Sequence, residues 1–240
     1  MHAHTVVLSV VIPFFNEKTT LQDCVQSVLA IEDRRSDLNV EIILVDDGSS
    51  DGSHRVALQL QKNHEQVSLI CLPTNLGKGA AVRRGLCAAN GHLIAIQDAD
   101  LEYKPNDLLK LIEPLIEDQA DVVFGSRFQN WSLRGKRTRQ VIHFAGNRFL
   151  TALSNFKTGL KLTDMETCYK VFQKKVIDEI LPQMKENRFA IEPEMTALIS
   201  KIGYRVTELP VSYNGRGYRE GKKIGFVDGL SAIYCILVKH

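Results

Sequence analysis

The chain has 240 residues, of which 44% are hydrophobic and 24% are charged, as is typical of a soluble globular protein. Its net charge of +2 by itself indicates no particular partner, and residues 1–5 lack the charged and apolar layout of a signal peptide. No apolar run approaches the roughly 20 residues that cross a bilayer, so we expect a protein that at most lies on a membrane.

Apolar runs rich in β-branched residues alternate with segments of helical periodicity over the first half of the chain. Strands are predicted at 6–13, 40–45, 67–72, 93–97 and 121–125, and helices at 19–30, 52–63, 77–90 and 105–117. This alternation is typical of βαβ units, so we predict an α/β fold with a mostly parallel central sheet flanked by helices.

The regular alternation fades after residue 125. Helices are predicted at 139–154, 174–183, 193–202 and 227–238, and one more strand at 205–211. The stretch 122–163 contains no Asp or Glu and carries Arg127, Arg134, Lys136, Arg137, Arg139, Arg148, Lys157 and Lys161. Because no linker or repeat interrupts the chain, we predict one domain over 1–240, with 1–125 and 126–240 as its two parts.

The cysteines and histidines indicate no metal centre of their own. The five cysteines are scattered and include no CxxC pair, which is typical of a reducing cytosol and argues against a structural zinc site. None of the seven histidines lies in a cluster with metal-ligand spacing, so we assign none of them a role.

The most informative pattern is the acidic cluster that follows the predicted strand at 93–97. Asp98 and Asp100 are separated by one small residue, and Glu102 lies two positions further on. Carboxylates crowded at a sheet edge repel one another unless a cation joins them, and Mg²⁺ and Mn²⁺ bind carboxylates together with substrate phosphate oxygens. The pattern predicts a metal–diphosphate site, with a capped turn before the helix at 105–117 as the alternative.

Three other predicted strands are also followed by residues suited to ligand binding. Asn16 and Glu17 follow the first strand, and Asp47 follows the second, where its carboxylate could accept hydrogen bonds from a nucleobase or a ribose. A Gly-Lys-Gly segment around Lys78 opens the helix after the third, where backbone N–H groups and the helix dipole favour a phosphate. One nucleotide and one metal ion explain the four sites together, whereas helix capping explains several of them singly.

These motifs, in this order, resemble the family 2 glycosyltransferases with the GT-A (nucleotide-diphospho-sugar transferase) fold. More narrowly, the chain resembles the polyprenyl-phosphate glycosyltransferases of the dolichol-phosphate mannose synthase type. The resemblance covers nearly the whole chain and rests on VIPFFNE at 11–17, VDDGSSDGS at 45–53, NLGKGAAVRRG at 75–85, QDADLEYKP at 97–105, GSRF at 125–128, DMETCYKVF at 164–172 and VSYNGRGYREGKKI at 211–224.

The resemblance implies a role for each matching residue. The residues that would hold the base and ribose of a nucleoside diphosphate sugar are Pro13, Phe15, Glu17, Val45 and Asp47. Lys78 and Ala99 would join this nucleotide-sugar site, and Asp98 would serve both the ribose and a Mg²⁺ or Mn²⁺ ion. The further metal ligands would be Asp100 and Glu102. The residues that would bind the diphosphate or the acceptor phosphate are Arg127, Arg216 and Lys222.

The implied reaction is metal-dependent, inverting transfer of a sugar from a nucleoside diphosphate sugar, of the UDP-glucose or GDP-mannose type, to a dolichyl or undecaprenyl phosphate. The ion would neutralise charge on the departing diphosphate, and the guanidinium groups of Arg127 and Arg216 would suit the acceptor phosphate. A phosphate acceptor is already anionic, so it needs to be positioned more than deprotonated. Asp164 is therefore our candidate for orienting the acceptor or for acting as a weak base. Glu102 stands where many relatives of the mannose synthase type have Gln, which favours a UDP-sugar.

The acid-free stretch predicts a contact with a membrane surface. Its basic residues, with Trp131, Phe144 and Phe149, suit an interfacial helix beside anionic lipid, so we expect a peripheral protein at the cytoplasmic face of a membrane. A solvated basic surface with ordinary core aromatics is the alternative. The apolar tail at 224–238 could be a second interfacial element, a homodimer contact or part of the core.

Three other functions remain as alternatives. A family 2 enzyme that acts on a saccharide hydroxyl would need a true base, which would make Asp164 essential. A sugar-1-phosphate nucleotidyltransferase would carry a Gly-rich, Arg-containing loop after the first strand, where this chain has Pro-Phe-Phe-Asn-Glu. A non-catalytic module would not need the acidic cluster, and the chain lacks recognisable motifs for binding nucleic acid.

Overall fold

The computed structural model describes residues 5–129, 138–215 and 226–238 of the chain. A seven-stranded sheet in the order β3-β2-β1-β4-β6-β5-β7 forms its centre. The strands are β1 Val6–Phe14, β2 Leu38–Asp46, β3 Val67–Cys71, β4 Leu93–Ile96, β5 Val122–Ser126, β6 Lys170–Gln173 and β7 Val206–Pro210. All neighbouring strands are parallel except the two pairs made by β6, so the predicted, mostly parallel sheet is confirmed.

Helices flank the sheet, close to the predicted positions. They are α1 Leu21–Leu29, α2 Ser53–Asn63, α3 Lys78–Ala88, α4 Leu108–Ile116, α5 Thr138–Thr158, α6 Lys174–Ile180, α7 Ile191–Ile202 and α8 Phe226–Val238. The predicted helix at 174–183 ends earlier, at Ile180, and continues as a 3₁₀ turn, because Pro182 has no N–H to donate. The first turn of α7 accommodates Pro193, since N–H groups there have no partner within the helix.

The centre of the sheet is a continuous apolar core beneath α3. The side chains of Val11 on β1 and Val45 on β2 are fully buried and face Gly85 in the middle of α3. A Cβ atom built on Gly85 would lie 2.3 Å from Val11 Cγ1 and 3.1 Å from Val45 Cγ2. The absence of a side chain at Gly85 therefore allows α3 to approach the sheet, and this approach positions the start of α3 at the sheet edge.

Strand β6 was not predicted from the sequence. It has only four residues and runs antiparallel to both β4 and β5, with Val171 opposite Ala95 on one side and Val123 on the other. A strand this short has no periodicity of its own, so only its neighbours reveal it. Its position brings the segment 164–169 next to the end of β4.

The parallel strands β1, β2, β3 and β4 all end at one edge of the sheet, and Phe14 of β1 lies opposite Asp46 of β2. In open α/β sheets, ligands bind at this carboxyl edge. The predicted motifs after the first, second and fourth strands, and the start of α3, are therefore brought together at one edge.

The basic stretch is described only in part. The side chains of Trp131, Arg134, Lys136, Arg137 and Arg139 lie outside the described residues. The described remainder includes α5, which packs against α7 and α8. Within the parts of the chain that the structure describes, no helix has both the length and the apolar character needed to cross a membrane.

We expect Gly85→Ala to lower the free energy of unfolding by about 1–3 kcal/mol, because the new methyl group overlaps Val11 in a packed core. Gly146→Ala is the matched control, since Gly146 is an exposed glycine within α5 whose Cβ would meet nothing within 4 Å. The control should gain up to about 1 kcal/mol from helix propensity. Urea unfolding measures both, and a Gly85→Ala variant as stable as the control would contradict the close approach of α3.

Candidate active site

Asp98 lies two residues beyond the end of β4 and forms an ion pair with Lys78, the first residue of α3. The Lys78 Nζ lies 2.9 Å from Asp98 Oδ1 and 3.2 Å from Oδ2. Burial alone would raise the pKa of Asp98, but the adjacent ammonium lowers it below its ordinary value. Burial likewise opposes the charge on Lys78, yet Asp98 raises the pKa of this ammonium well above its ordinary value. Both groups are therefore charged at neutral pH.

The acidic cluster forms a tight turn beyond β4. Leu101 adopts a φ of 60°, an uncommon conformation for a residue with a side chain, and the Glu102 N–H donates to Asp100 Oδ1 at 3.2 Å. The side chain of Ala99 is buried, so it packs under the turn. Carboxylates of Asp98, Asp100 and Glu102 thus lie on one five-residue turn. Their hard oxygen atoms fit Mg²⁺ or Mn²⁺ as ligands.

Asp47 positions the loop that leads into α3. Its Oδ1 accepts the N–H of Leu76 at 2.7 Å and its Oδ2 accepts the N–H of Gly77 at 2.9 Å. Burial raises the pKa of Asp47, and these two donors act in the opposite direction. Gly77 has a φ of 104°, and a Cβ there would lie 2.5 Å from the carbonyl oxygen of Asn187, so this position requires glycine. Asp47 therefore fixes the start of α3.

The end of β1 contributes mostly local structure. Pro13 is paired with Val45 within the sheet, and the Val45 side chain faces α3 in the core, so only the backbone of Val45 could reach a ligand. Glu17 is buried, and its carboxylate accepts a hydrogen bond from the Thr20 hydroxyl at 2.9 Å. Its backbone N–H donates to the Ser53 hydroxyl. Phe15 is partly buried beside them. The proposed contacts of these residues with base and ribose stay predictions.

Glu192 of α7 extends the Lys78 pair into the second half of the chain. Its Oε1 lies 3.4 Å from Lys78 Nζ and its Oε2 lies 2.5 Å from the Nζ of Lys170 on β6. Lys170 is fully buried and also donates to the carbonyl of Thr167. Sequence reasoning missed Glu192 and Lys170, because neither residue lies in a strand-end pattern and their pairing depends on β6.

Arg127, which follows β5, and Asp164 form a second buried, two-pronged ion pair. Arg127 Nε and Nη2 donate to Asp164 Oδ2 and Oδ1 at 2.6 and 2.7 Å, and the Arg127 backbone N–H donates to Oδ2 at 3.0 Å. The carboxylate of Glu208 on β7 accepts the N–H groups of Thr163 and Asp164. Asp164 thus positions Arg127, and Glu208 positions Asp164. No pattern in the sequence indicated this role for Glu208.

Tyr213 connects this pair to the acidic turn. Its hydroxyl donates to Glu102 Oε2 at 2.7 Å, and the Arg127 guanidinium carbon lies 5.2 Å from the centre of its ring. Tyr213 also bridges to Tyr103, which stacks on Tyr169 at 4.5 Å between ring centres. Cys168 and Tyr169 are both buried, so they pack beneath this part of the site. The predicted phosphate-binding residues Arg216 and Lys222 lie outside the described residues.

Glu166 is a second carboxylate in the 164–169 segment. Its Oε1 atom is enclosed and has no hydrogen-bond partner among the described residues. Burial raises its pKa to about 7, and the negative charge of Glu192 adds to this effect. Near neutral pH this group therefore gains or loses a proton within the site.

Solved structures with the same fold include glucosyl-3-phosphoglycerate synthase of Mycobacterium tuberculosis. Its complex with Mn²⁺, uridine diphosphate and phosphoglyceric acid superposes with a TM-score of 0.70 at 18% identity, covering 97% of this chain and 78% of that one. Its complex with Mg²⁺ and uridine diphosphate gives 0.68 at 18% identity, with the same coverage. At this identity the likeness establishes the GT-A fold.

Curated relatives match over nearly the whole chain. A dolichyl-phosphate beta-glucosyltransferase (ALG5A) of Trichomonas vaginalis is 31% identical over 98% of this chain and 74% of its own length. An undecaprenyl-phosphate 4-deoxy-4-formamido-L-arabinose transferase of Proteus mirabilis is 28% identical over 96% of this chain. The chain spans 66% of the length of this second relative, just under two thirds.

The raised pKa of Glu166 predicts a pH-dependent stability. Between the ordinary pKa of 4.5 and the folded value of about 7, the folded protein binds a proton that the unfolded chain releases, so stability falls as pH rises. From pH 5 to pH 8 we expect the free energy of unfolding of the wild type to fall by roughly 1–3 kcal/mol relative to that of Glu166→Gln. Urea unfolding across pH measures this, with the exposed Glu65→Gln as control, and a difference that does not change with pH would contradict it.

The family profile described as glycosyl transferase family 2 matches residues 9–181. This range runs from β1 to the end of α6 and includes the acidic turn, Lys78, and the Arg127–Asp164 pair. The fold, the site and the curated relatives agree with that match. The chain therefore belongs to glycosyl transferase family 2 and is a glycosyltransferase with the GT-A fold.

Proposed function

We propose that this protein transfers glucose, with inversion, from UDP-glucose to a polyprenyl phosphate at a membrane surface, in a reaction that depends on Mg²⁺ or Mn²⁺. One observation carries the proposal: Tyr213 joins the acidic turn and the Arg127 guanidinium, through a 2.7 Å hydrogen bond to Glu102 and a 5.2 Å ring contact. A cation-binding edge suited to a diphosphate and a fixed cation suited to a phosphate thus lie side by side.

The donor is proposed from chemistry and from relatives. The curated relative with 31% identity is named as a beta-glucosyltransferase, and the solved GT-A structures contain uridine diphosphate. At the sheet edge, Asp47 holds the loop before Lys78, and the Lys78 ammonium is suited to a phosphate group. We assign residues 1–125 to donor binding and residues 126–240 to acceptor binding.

A divalent ion would be held by Asp100 and Glu102, together with Asp98, and would supply Lewis-acid assistance to departure of the diphosphate. Lys78 keeps Asp98 ionised, so that this carboxylate is ready to act as a ligand. Tyr213 restrains the carboxylate of Glu102. The chain therefore contributes a preorganised set of oxygen atoms and a fixed positive charge to the leaving group.

The acceptor is proposed to be a phosphate because the carboxylate of Asp164 is engaged in hydrogen bonds with Arg127. Both of its carboxylate oxygens receive hydrogen bonds from Arg127, so proton uptake by Asp164 would break a buried ion pair. A hydroxyl acceptor needs a general base, whereas a phosphate acceptor needs only to be oriented. In this proposal Arg127 binds the acceptor phosphate and Asp164 positions Arg127.

The membrane contact is proposed from two exposed apolar stripes on helices that pack together. Phe149 and Phe156 of α5 are 59% and 84% exposed, and they lie on one face of the helix. On α8, the exposed apolar residues are Leu230, Tyr234, Leu237 and Val238. Exposed apolar groups of this size favour a lipid interface, where the tail of the acceptor would reside. We place this surface at the cytoplasmic face of a membrane.

The decisive experiment is transfer of radiolabelled sugar to a polyprenyl phosphate in the presence of Mg²⁺ or Mn²⁺. UDP-glucose and GDP-mannose are offered in turn, and label is counted in the organic phase. We expect transfer from UDP-glucose, loss of transfer with a chelator, and restoration by the added ion.

Asp100→Asn should reduce this transfer at least about 100-fold, because it removes one oxygen ligand and its charge from the metal site. The exposed Glu65→Gln serves as the matched control and should retain activity. Label in water-soluble saccharide, with none in lipid, would overturn the acceptor assignment in favour of a hydroxyl. Full activity of Asp100→Asn would overturn the metal assignment.

Replacement of both Phe149 and Phe156 by Ser should weaken binding to anionic vesicles by about tenfold or more, because two exposed aromatic side chains leave the interface. Leu58→Ser on α2 is the matched control, as Leu58 is 47% exposed and lies on another helix. Vesicle co-sedimentation gives both affinities. Equal binding of the double variant and the control would exclude α5 from the membrane contact.

A further inference from the structure

A mixed cluster of ligand atoms lies at the ends of β2 and β3. The His54 Nδ1 atom is 3.1 Å from Asp46 Oδ2 and 3.6 Å from Cys71 Sγ, and all three atoms lie within 4.8 Å of one another. Asp46 and Cys71 are the last residues of neighbouring strands and stand opposite each other, while His54 is in the first turn of α2. We propose that these three side chains bind a Zn²⁺ ion.

The two distances from the His54 ring nitrogen are close to those of a tetrahedral zinc centre. Zinc bonds of about 2.3 Å to sulfur, 2.0–2.1 Å to nitrogen and 2.0–2.2 Å to oxygen place a nitrogen ligand about 3.6 Å from a sulfur ligand and about 3.4 Å from an oxygen ligand. The observed separations from His54 Nδ1 are 3.6 Å and 3.1 Å. The His54 nitrogen is therefore already placed for an ion that it shares with the other two ligands, whose sulfur and oxygen atoms lie within 4.8 Å of each other.

The donor set selects the metal. A thiolate, an imidazole and one carboxylate suit zinc, whereas Mg²⁺ and Mn²⁺ prefer oxygen ligands. This cluster therefore differs in its chemistry from the acidic turn at Asp98, Asp100 and Glu102.

The buried ligand of the cluster is held in place by its surroundings. Asp46 is 3% exposed, and its Oδ1 accepts the Ser49 N–H at 2.8 Å while its Oδ2 faces His54. The carbonyl of Asp46 also accepts the N–H of Leu72, which joins the ends of the two strands. The side chain of His54 is 42% exposed, so solvent can reach the site and supply a water molecule as the fourth ligand.

The cluster lies at the ends of β2 and β3 and the start of α2, and it shares no residue with the acidic turn or the Arg127–Asp164 pair. Asp47, the neighbour of Asp46, has different partners and holds the loop before α3. Gly48 lies in the loop after β2, and Thr74 lies in the loop after β3. A Cβ atom on Gly48 would lie 2.7 Å from the Thr74 backbone, so these two loops are in close contact. A bound zinc ion would thus fasten β2, β3 and α2 next to the loop that presents Lys78.

The sequence did not indicate this site. We expected no structural zinc site because the cysteines are scattered without a CxxC pair, and no role for a histidine because none lies in a metal-like cluster of the sequence. The parallel register of β2 and β3 brings two of them together, and α2 returns the third.

The test titrates metal-free, full-length protein with Zn²⁺ in a competition assay, and with Co²⁺ as a spectroscopic probe. Wild type should bind one Zn²⁺ ion at this site, show a thiolate-to-cobalt charge-transfer band, and unfold at a higher temperature with Zn²⁺ present. His54→Gln and Cys71→Ser should each lose the band and at least about tenfold in zinc affinity.

Two controls separate this site from other metal binding. Cys87→Ser removes another exposed cysteine, on α3, and should retain the band. Asp100→Asn disrupts the acidic turn and should also retain it, so that failure of the proposed transferase activity would not affect the result. Folding of each variant is checked by circular dichroism. Wild-type protein without the band, or a band that persists in Cys71→Ser, would overturn the proposal.

Discussion

The ion-pair network centred on Glu192 is the interaction on which the rest of the site depends. Its carboxylate contacts the ammonium groups of both Lys78 and Lys170, and Lys170 is completely buried. An ammonium group loses its hydration when it is buried, so it remains charged only if a carboxylate compensates it. Because Lys78 also pairs with Asp98, one carboxylate on α7 fixes the start of α3, strand β6 and the end of β4 relative to one another.

The same physical rule governs the Arg127–Asp164 pair. The buried carboxylate of Asp164 is neutralised by Arg127, and the backbone around Asp164 is held by Glu208 from β7. Asp98, Glu102 and Arg127 are thus each positioned by a partner from another part of the chain. In the proposed reaction, such preorganisation would let fixed charges stabilise the departing diphosphate without reorientation. It also explains why the second half of the chain, with its weak periodicity, is needed for the site.

Much of the fold and of the site edge could be predicted from sequence. The apolar runs and helical periodicity predicted β1 to β5 and α1 to α4, and the acidic cluster was placed correctly at the end of β4. Individual contacts could not be predicted. Val45 faces the core, Asp47 holds a backbone turn, and Arg127 and Asp164, which are 37 residues apart, pair with each other. A side chain's type determines what it can bind, but its partner depends on strand register and helix packing.

The sequence by itself determined the alternation of strands and helices, and hence the edge at which the polar motifs meet, because burial periodicity is a local property of the chain. It also determined that three carboxylates share one turn, since they are neighbours in the chain wherever the strand ends. Only the tertiary structure decided that β6 runs antiparallel between β4 and β5. That choice brings Lys170 to Glu192 and the 164–169 segment to the site, because a four-residue strand takes its place from its neighbours.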